Sequence, residues 1–214
     1  MTGVQTCALP IFLPERADVV RAYGEQRELG LKLEHKYTHV GYTLGVYNGS
    51  GINTLDDNNQ KDVALRLEAY PLEGVTLAAV GYRSLGERDK VESTRDRLEG
   101  DVALNFGDFV AQGEYIHAWD GATGDGATPR VEGAGWYGAV GYTFAKKLQP
   151  VVRLGRLDKN LDVADDTATT LDVGVNYFVS GDRVKLQAAY SHLGNQKAGY
   201  KPEQDVILAA QLKF

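Results

Sequence analysis

From Leu29 onward apolar residues recur at every second position, in stretches separated by connections that are alternately short and long. Period-two alternation sends successive side chains to opposite faces of a strand, so each stretch has one apolar and one wetter face. Leu29, Leu31 and Leu33 alternate with Gly30, Lys32 and Glu34, and Val40, Tyr42, Leu44 and Val46 with Gly41, Thr43, Gly45 and Tyr47. Val63, Leu65, Leu67 and Ala69 oppose Asp62, Arg66 and Glu68; Leu98, Val102, Leu104 and Phe106 oppose Arg97, Glu99, Asp101 and Asn105. The same holds for Ala111, Gly113 and Tyr115 against Gln112 and Glu114, and for Val152 and Leu154 against Arg153. Trp136, Gly138, Val140, Tyr142 and Phe144 make another apolar face. Leu171, Val173, Val175 and Tyr177 oppose Asp172, Gly174 and Asn176, and Val184, Leu186, Ala188 and Tyr190 oppose Lys185, Gln187 and Ser191. The last stretch sets Val206, Leu208, Ala210, Leu212 and Phe214 against Ile207, Ala209, Gln211 and Lys213. Between Val75 and Tyr82 both alternate sets are apolar or small, so that strand has no assignable face.

The count is about eleven strands, each near the roughly 9–11 residues that a tilted strand needs to cross a bilayer. Short connections are expected at 37–38, 71–74, 107–108, 145–149 and 180–182, and long ones at 48–60, 84–95, 119–134, 158–166 and 194–204. Such sorting predicts an all-β, antiparallel transmembrane barrel with its short turns at one rim and its long loops at the other. Counting back from Phe214 as a terminal aromatic at the membrane edge puts every short turn on one side. Aromatics fall at both levels: Tyr70, Phe106, Phe109, Phe144, Tyr177 and Phe214 near the short turns, and Tyr47, Tyr82, Trp119, Trp136 and Tyr190 near the long loops. Two aromatic girdles are expected where rings sit at the headgroups.

Composition agrees with this reading. The 25 Gly, 12 Tyr and 6 Pro suit a sheet protein with many turns. Mean hydropathy is −0.31, and no run of about 18 apolar residues occurs, which excludes a spanning helix but not a barrel, where only alternate residues need face lipid. The net charge of −6 argues against a nucleic-acid partner, because phosphate backbones demand a basic face. Residues 1–11 look like a translated sequencing adapter: they lack the basic start and cleavage site of a signal peptide. We set them apart from the fold, and expect the natural chain to begin further upstream. The single Cys, Cys7, goes with them, so no thiol chemistry is expected of the remainder.

Several stretches resemble the phosphate-selective porin family, of the outer-membrane porin O and porin P type. They are Phe12-Leu-Pro-Glu-Arg-Ala17, Arg27-Glu-Leu-Gly-Leu31, Gly45-Val-Tyr-Asn-Gly-Ser-Gly51, the Asp57-Asn-Asn-Gln-Lys-Asp-Val block and Leu171-Asp-Val-Gly-Val-Asn-Tyr177. The resemblance implies a barrel of about sixteen strands, of which this chain holds the C-terminal part, embedded in the bacterial outer membrane among lipid and lipopolysaccharide. It further implies a homotrimer that passes small hydrophilic solutes or anions, phosphate among them, with no cofactor. Residues 12–26 correspond to chain that such proteins fold into the lumen, and 27–214 to the strands.

On that basis Arg16, Arg21 and Arg27 are candidates for an anion-binding constriction, since guanidinium forks replace an oxyanion's lost hydration. Lys32, Arg66, Arg97, Arg153, Lys185 and Lys213 are expected on the lumen wall. Glu34, Glu68, Glu99, Asp101, Glu114 and Asp172 fall on the same side, so the wall is mixed and not a basic ladder. His35, His39, His117 and His192 have no metal-ligand spacing. Two other readings compete with the pore. One is a soluble β-sandwich that binds carbohydrate through Trp119 and Trp136; the other is a barrel enzyme acting through His192 or Glu114.

Overall fold

The computed structural model describes residues 12–24, 29–49, 61–84, 87–88, 91–123, 130–181, 183–196 and 199–212. Among these residues twelve strands form one sheet. They are β1 (Gly30–Lys36), β2 (Val40–Tyr47), β3 (Asp62–Ala69), β4 (Val75–Ser84), a two-residue β5 (Glu87–Arg88), β6 (Val91–Phe106) and β7 (Phe109–Thr123). Then come β8 (Val131–Tyr142), β9 (Leu148–Asp158), β10 (Ala168–Ser180), β11 (Val184–Asn195) and β12 (Glu203–Leu212). Apart from β5, which pairs only with β6, the spatial order is the chain order, and the pairings are antiparallel. An up-and-down meander of this kind is the simplest way to satisfy backbone groups with hairpins alone. Among the described residues β1 and β12 each pair on one side only, so the sheet is open.

The two faces are inverted relative to a water-soluble protein. Leu65, Leu98, Val140, Leu154, Val173, Leu186 and Leu208 are exposed, whereas Arg66, Glu99, Asp101, Glu114, Arg153, Asp172 and Asn176 are buried. The described residues contain no second sheet behind the apolar side, and that removes the sandwich reading.

Register also settles β4. Val80 lies opposite Arg66 on β3 and Glu99 on β6, and cross-strand partners share a face. Val80, Tyr82 and Ser84 therefore line the polar face, and Leu77, Ala79, Gly81 and Arg83 the apolar one.

The short connections lie where the sequence puts them, within a residue or two. Gly107, between β6 and β7, takes the left-handed φ of 61° that a two-residue hairpin turn needs. The expected long loops at 84–95 and 119–134 are shorter than that reading. β6 begins at Val91, β7 runs to Thr123 and β8 starts at Val131. Pairing continues because alternating partners such as Asp96 opposite Trp119 and Arg95 opposite Asp120 extend the β6–β7 ladder into charged sequence.

The girdles need one correction. Phe106, Phe109, Tyr142, Phe144 and Tyr177 are exposed on the apolar face near the short turns, and Tyr115, Trp136 and Tyr190 towards the other rim. Tyr47 and Tyr82 are buried on the polar face beside Ala64 instead. Their position in the alternation is that of Asp62 and Arg66, and the Tyr82 hydroxyl donates to Asp62 there.

Residues 12–24 form a strap across the polar face, ending in a π-helical turn from Val20 to Gly24. The sequence shows no period here because the strap is not paired as a strand; its apolar residues anchor individually. Leu13 packs with Val151 and Ala189, and Ala17, Val19, Val20 and Tyr23 pack with Ile116, Ala118, Tyr137, Ala139 and Leu157. These contacts carry it over β11, β10, β9, β8 and β7.

Candidate functional site

The polar face and the strap across it bring together most of the charged residues singled out in the sequence. Arg66 on β3 donates to both oxygens of Asp101 on β6, at 2.6 and 3.2 Å, and to Glu68 at 3.0 Å. Glu99 stands 3.8 Å away. The bidentate fork is the strong geometry for this pair, and alternate-residue spacing on one strand is what places Glu99 and Asp101 side by side. Glu68 is also held by the Tyr70 hydroxyl at 2.6 Å, with the Lys36 ammonium 4.0 Å from the Tyr70 ring centre.

Arg97 on β6 pairs with Asp120 at 2.8 Å and lies over the ring of Tyr23 in the strap at 5.2 Å. Arg153 on β9 pairs with Asp172 on β10 at 2.7 Å and donates to the Glu15 carbonyl at 2.7 Å. Gln149, Asn176 and Gln187 form an amide chain across β9, β10 and β11 at 2.8 Å per bond, and Asn176 also donates to the Phe12 carbonyl at 2.8 Å. Thr170 donates to Asp18, and the Tyr23 hydroxyl to the Asp158 carbonyl at 3.4 Å. Burial first, then the charge of Asp120, pushes the Tyr23 hydroxyl up to about 12.

Glycines on the sheet make room for this docking. A Cβ at Gly135 would sit 2.8 Å from Val19 Cγ2; one at Gly133 would strike the Tyr23 hydroxyl, and one at Gly174 the Leu13 side chain. Alternation alone does not reveal these contacts. A signal was present, though: Ile116, Ala118, Ala139, Val151 and Leu157 are apolar residues in the otherwise polar set, and they mark where the strap lands.

Of the constriction candidates, Arg21 is exposed on the strap and ion-paired to Glu15 at 2.8 Å and Asp18 at 2.6 Å. Arg16 is half-buried, and Arg27 lies outside the described residues. Of the wall candidates, Arg66, Arg97 and Arg153 are buried on the polar face. Lys185, on β11, is half-buried, with Gln211 and Phe178 as its cross-strand partners. Lys32 is on the exposed edge strand β1, paired to Glu34 at 2.5 Å. Lys213 and Phe214 lie outside the described residues.

The enzyme reading fares poorly on geometry. Glu114 is buried on the polar face, where Tyr137 donates to it at 3.3 Å, while His192 lies opposite Leu171 and so faces the apolar side. The sheet therefore does not bring Glu114 and His192 together.

Comparison with known proteins agrees with the fold. An outer membrane protein of Vibrio cholerae, OmpT with its loop L8 deleted, superposes with a TM-score of 0.66 at 17% identity, over 85% of this chain and 61% of its own. In-vitro folded OmpT from the same organism gives a TM-score of 0.60 at 16% identity, over 82% of this chain and 59% of its own. An anion-selective porin from Comamonas acidovorans gives a TM-score of 0.64 at 12% identity, over 84% of this chain and 53% of its own. This chain therefore spans little more than half the length of those structures, as part of a larger barrel wall. No curated protein matches it by sequence. The family model for Gram-negative porins matches residues 32–198. With that match running from β1 to beyond β11, the chain belongs to the Gram-negative porin family and is a protein of the bacterial outer membrane.

Proposed function

We propose that the intact protein forms a water-filled channel for passive diffusion of small hydrophilic solutes. The observation that carries this reading is the inverted sheet: exposed Leu65, Val140 and Val173 on one face, buried Arg66, Asp101 and Arg153 on the other. A wall of that kind faces lipid outward and water inward, and it filters by width and by wall charge.

Charge on the described wall supports weak selectivity. Arg66 is shared among Glu68, Glu99 and Asp101, and Arg97 and Arg153 each have a carboxylate partner. The anion preference implied by resemblance to phosphate-selective porins would rest on Arg16 and Arg21 in the strap and on Arg27, which follows it in sequence; in its favour stands the anion-selective Comamonas porin. We read the strap as the narrowest level, because it crosses the polar face, and the channel as general in its solutes. A homotrimer in lipid and lipopolysaccharide belongs to the same reading, through the resemblance alone.

Planar-bilayer recording of the intact protein tests it. Ohmic conductance steps are expected, with a reversal potential near zero in a salt gradient. Absence of conductance removes the channel; a strongly anion-selective potential transfers the selectivity to the arginines. Replacing Arg16 and Arg21 by Ala should raise conductance, and an unchanged value would take the strap out of the constriction.

A further inference from the structure

The strap does not fill the polar face completely. Between it, the 159–167 loop, the end of β11 and Tyr200 lies a cavity of about 480 Å³, lined by residues that include Arg21, Leu157, Lys159, Asp166 and Leu193. That volume falls within the roughly 300–1,000 Å³ of small-molecule sites.

Its chemistry is specific. Leu157 and Leu193 give it an apolar floor, and Arg21 is neutralised by Glu15 and Asp18. Lys159 and Asp166 both line it, yet no ion pair joins them, and among the described residues the buried Oδ1 of Asp166 accepts no hydrogen bond. A carboxylate left in that state favours a cation brought into the adjoining space. The loop that carries both residues is fixed. Thr167 donates to Asp158 at 2.9 Å, the Asn160 amide to Asp158 at 3.1 Å, the Asp162 amide to Asn160 at 3.2 Å, and the Leu161 amide to the Glu132 carbonyl at 2.8 Å. These bonds fix the loop backbone around Lys159 and Asp166 before any solute arrives, and preorganisation lowers the cost of binding.

The geometry points to a solute subsite for small zwitterions with an apolar side chain, such as an amino acid: Asp166 takes the ammonium, Lys159 the carboxylate, and Leu157 and Leu193 the side chain. This rests on the channel reading, since the cavity meets solute only where solvent fills the polar face.

Calorimetric titration of the intact protein in detergent with leucine, isovalerate, isoamylamine and glucose tests it, alongside conductance. Leucine is expected to bind about tenfold more tightly than either singly charged analogue, each lost charge-assisted bond being worth about that factor. Asp166→Asn should weaken leucine and isoamylamine but spare isovalerate, and Lys159→Met should weaken leucine and isovalerate but spare isoamylamine. Equal binding of glucose, or no binding by a conducting wild-type protein, overturns the subsite and leaves the channel standing. A protein that binds leucine without conducting keeps the subsite and removes the channel. Should either variant misfold, the ranking of the four probes on the wild type still decides.

Discussion

Gly135 shows how one residue sets the site. It lies on β8 directly beneath Val19, with no room for a side chain between sheet and strap. Gly135→Val is expected to cost about 1–3 kcal/mol through overpacking and to lift the strap, read as faster protease cleavage within residues 12–24 and as higher conductance. Arg153 acts from the other side, holding Asp172 and the Glu15 carbonyl together. Arg153→Met should lower stability by about 1–3 kcal/mol, the cost of leaving buried partners unmatched, seen as an earlier midpoint in denaturant. Tyr23 adds a pH dependence of known sign. Its hydroxyl is held up to about 12 in the folded protein against about 10 in an unfolded chain. Docking is therefore at full strength below about pH 10 and weakens as pH rises towards about 12. Strap release, followed by proteolysis and tyrosinate absorbance, should fall in that window, and Tyr23→Phe should abolish the dependence.

Among elements, the strap and the strands were legible to different degrees. β3, β9 and β10 could be read from alternation alone, because Leu65 and Arg66, or Val152 and Arg153, differ so sharply in polarity that one residue of slip would put charges into lipid. The extension of β6 and β7 through 91–95 and 119–123 could not, because charged residues there look like loop until their cross-strand partners are known. The strap had no periodic signal, and its route became visible only once Ile116, Ala139 and Leu157 were seen to meet Val19, Val20 and Tyr23 on one surface. β1 and β12 expose Leu31, Leu33, Val206 and Leu208, and among the described residues each has one unpaired edge open to a neighbouring strand.

At the scale of the whole molecule, the inverted sheet makes the protein's solubility a property of its surroundings. Without detergent or lipid the intact protein should aggregate, whereas a monodisperse species in plain buffer would contradict the exposed apolar face. Val140→Arg, on that face, is expected to cost about 2–4 kcal/mol of folding stability in bilayers. Alternation and loop lengths by themselves determined that this chain is an antiparallel sheet with one lipid-compatible and one wet face, because those features are local and repeat at every strand. Tertiary structure alone decided the face of β4, the inward turn of Tyr47 and Tyr82, the pairing of Arg66 with Asp101, and the path of the strap. Each of these depends on which residues from distant parts of the chain arrive opposite one another, and neither strand period nor composition carries that information.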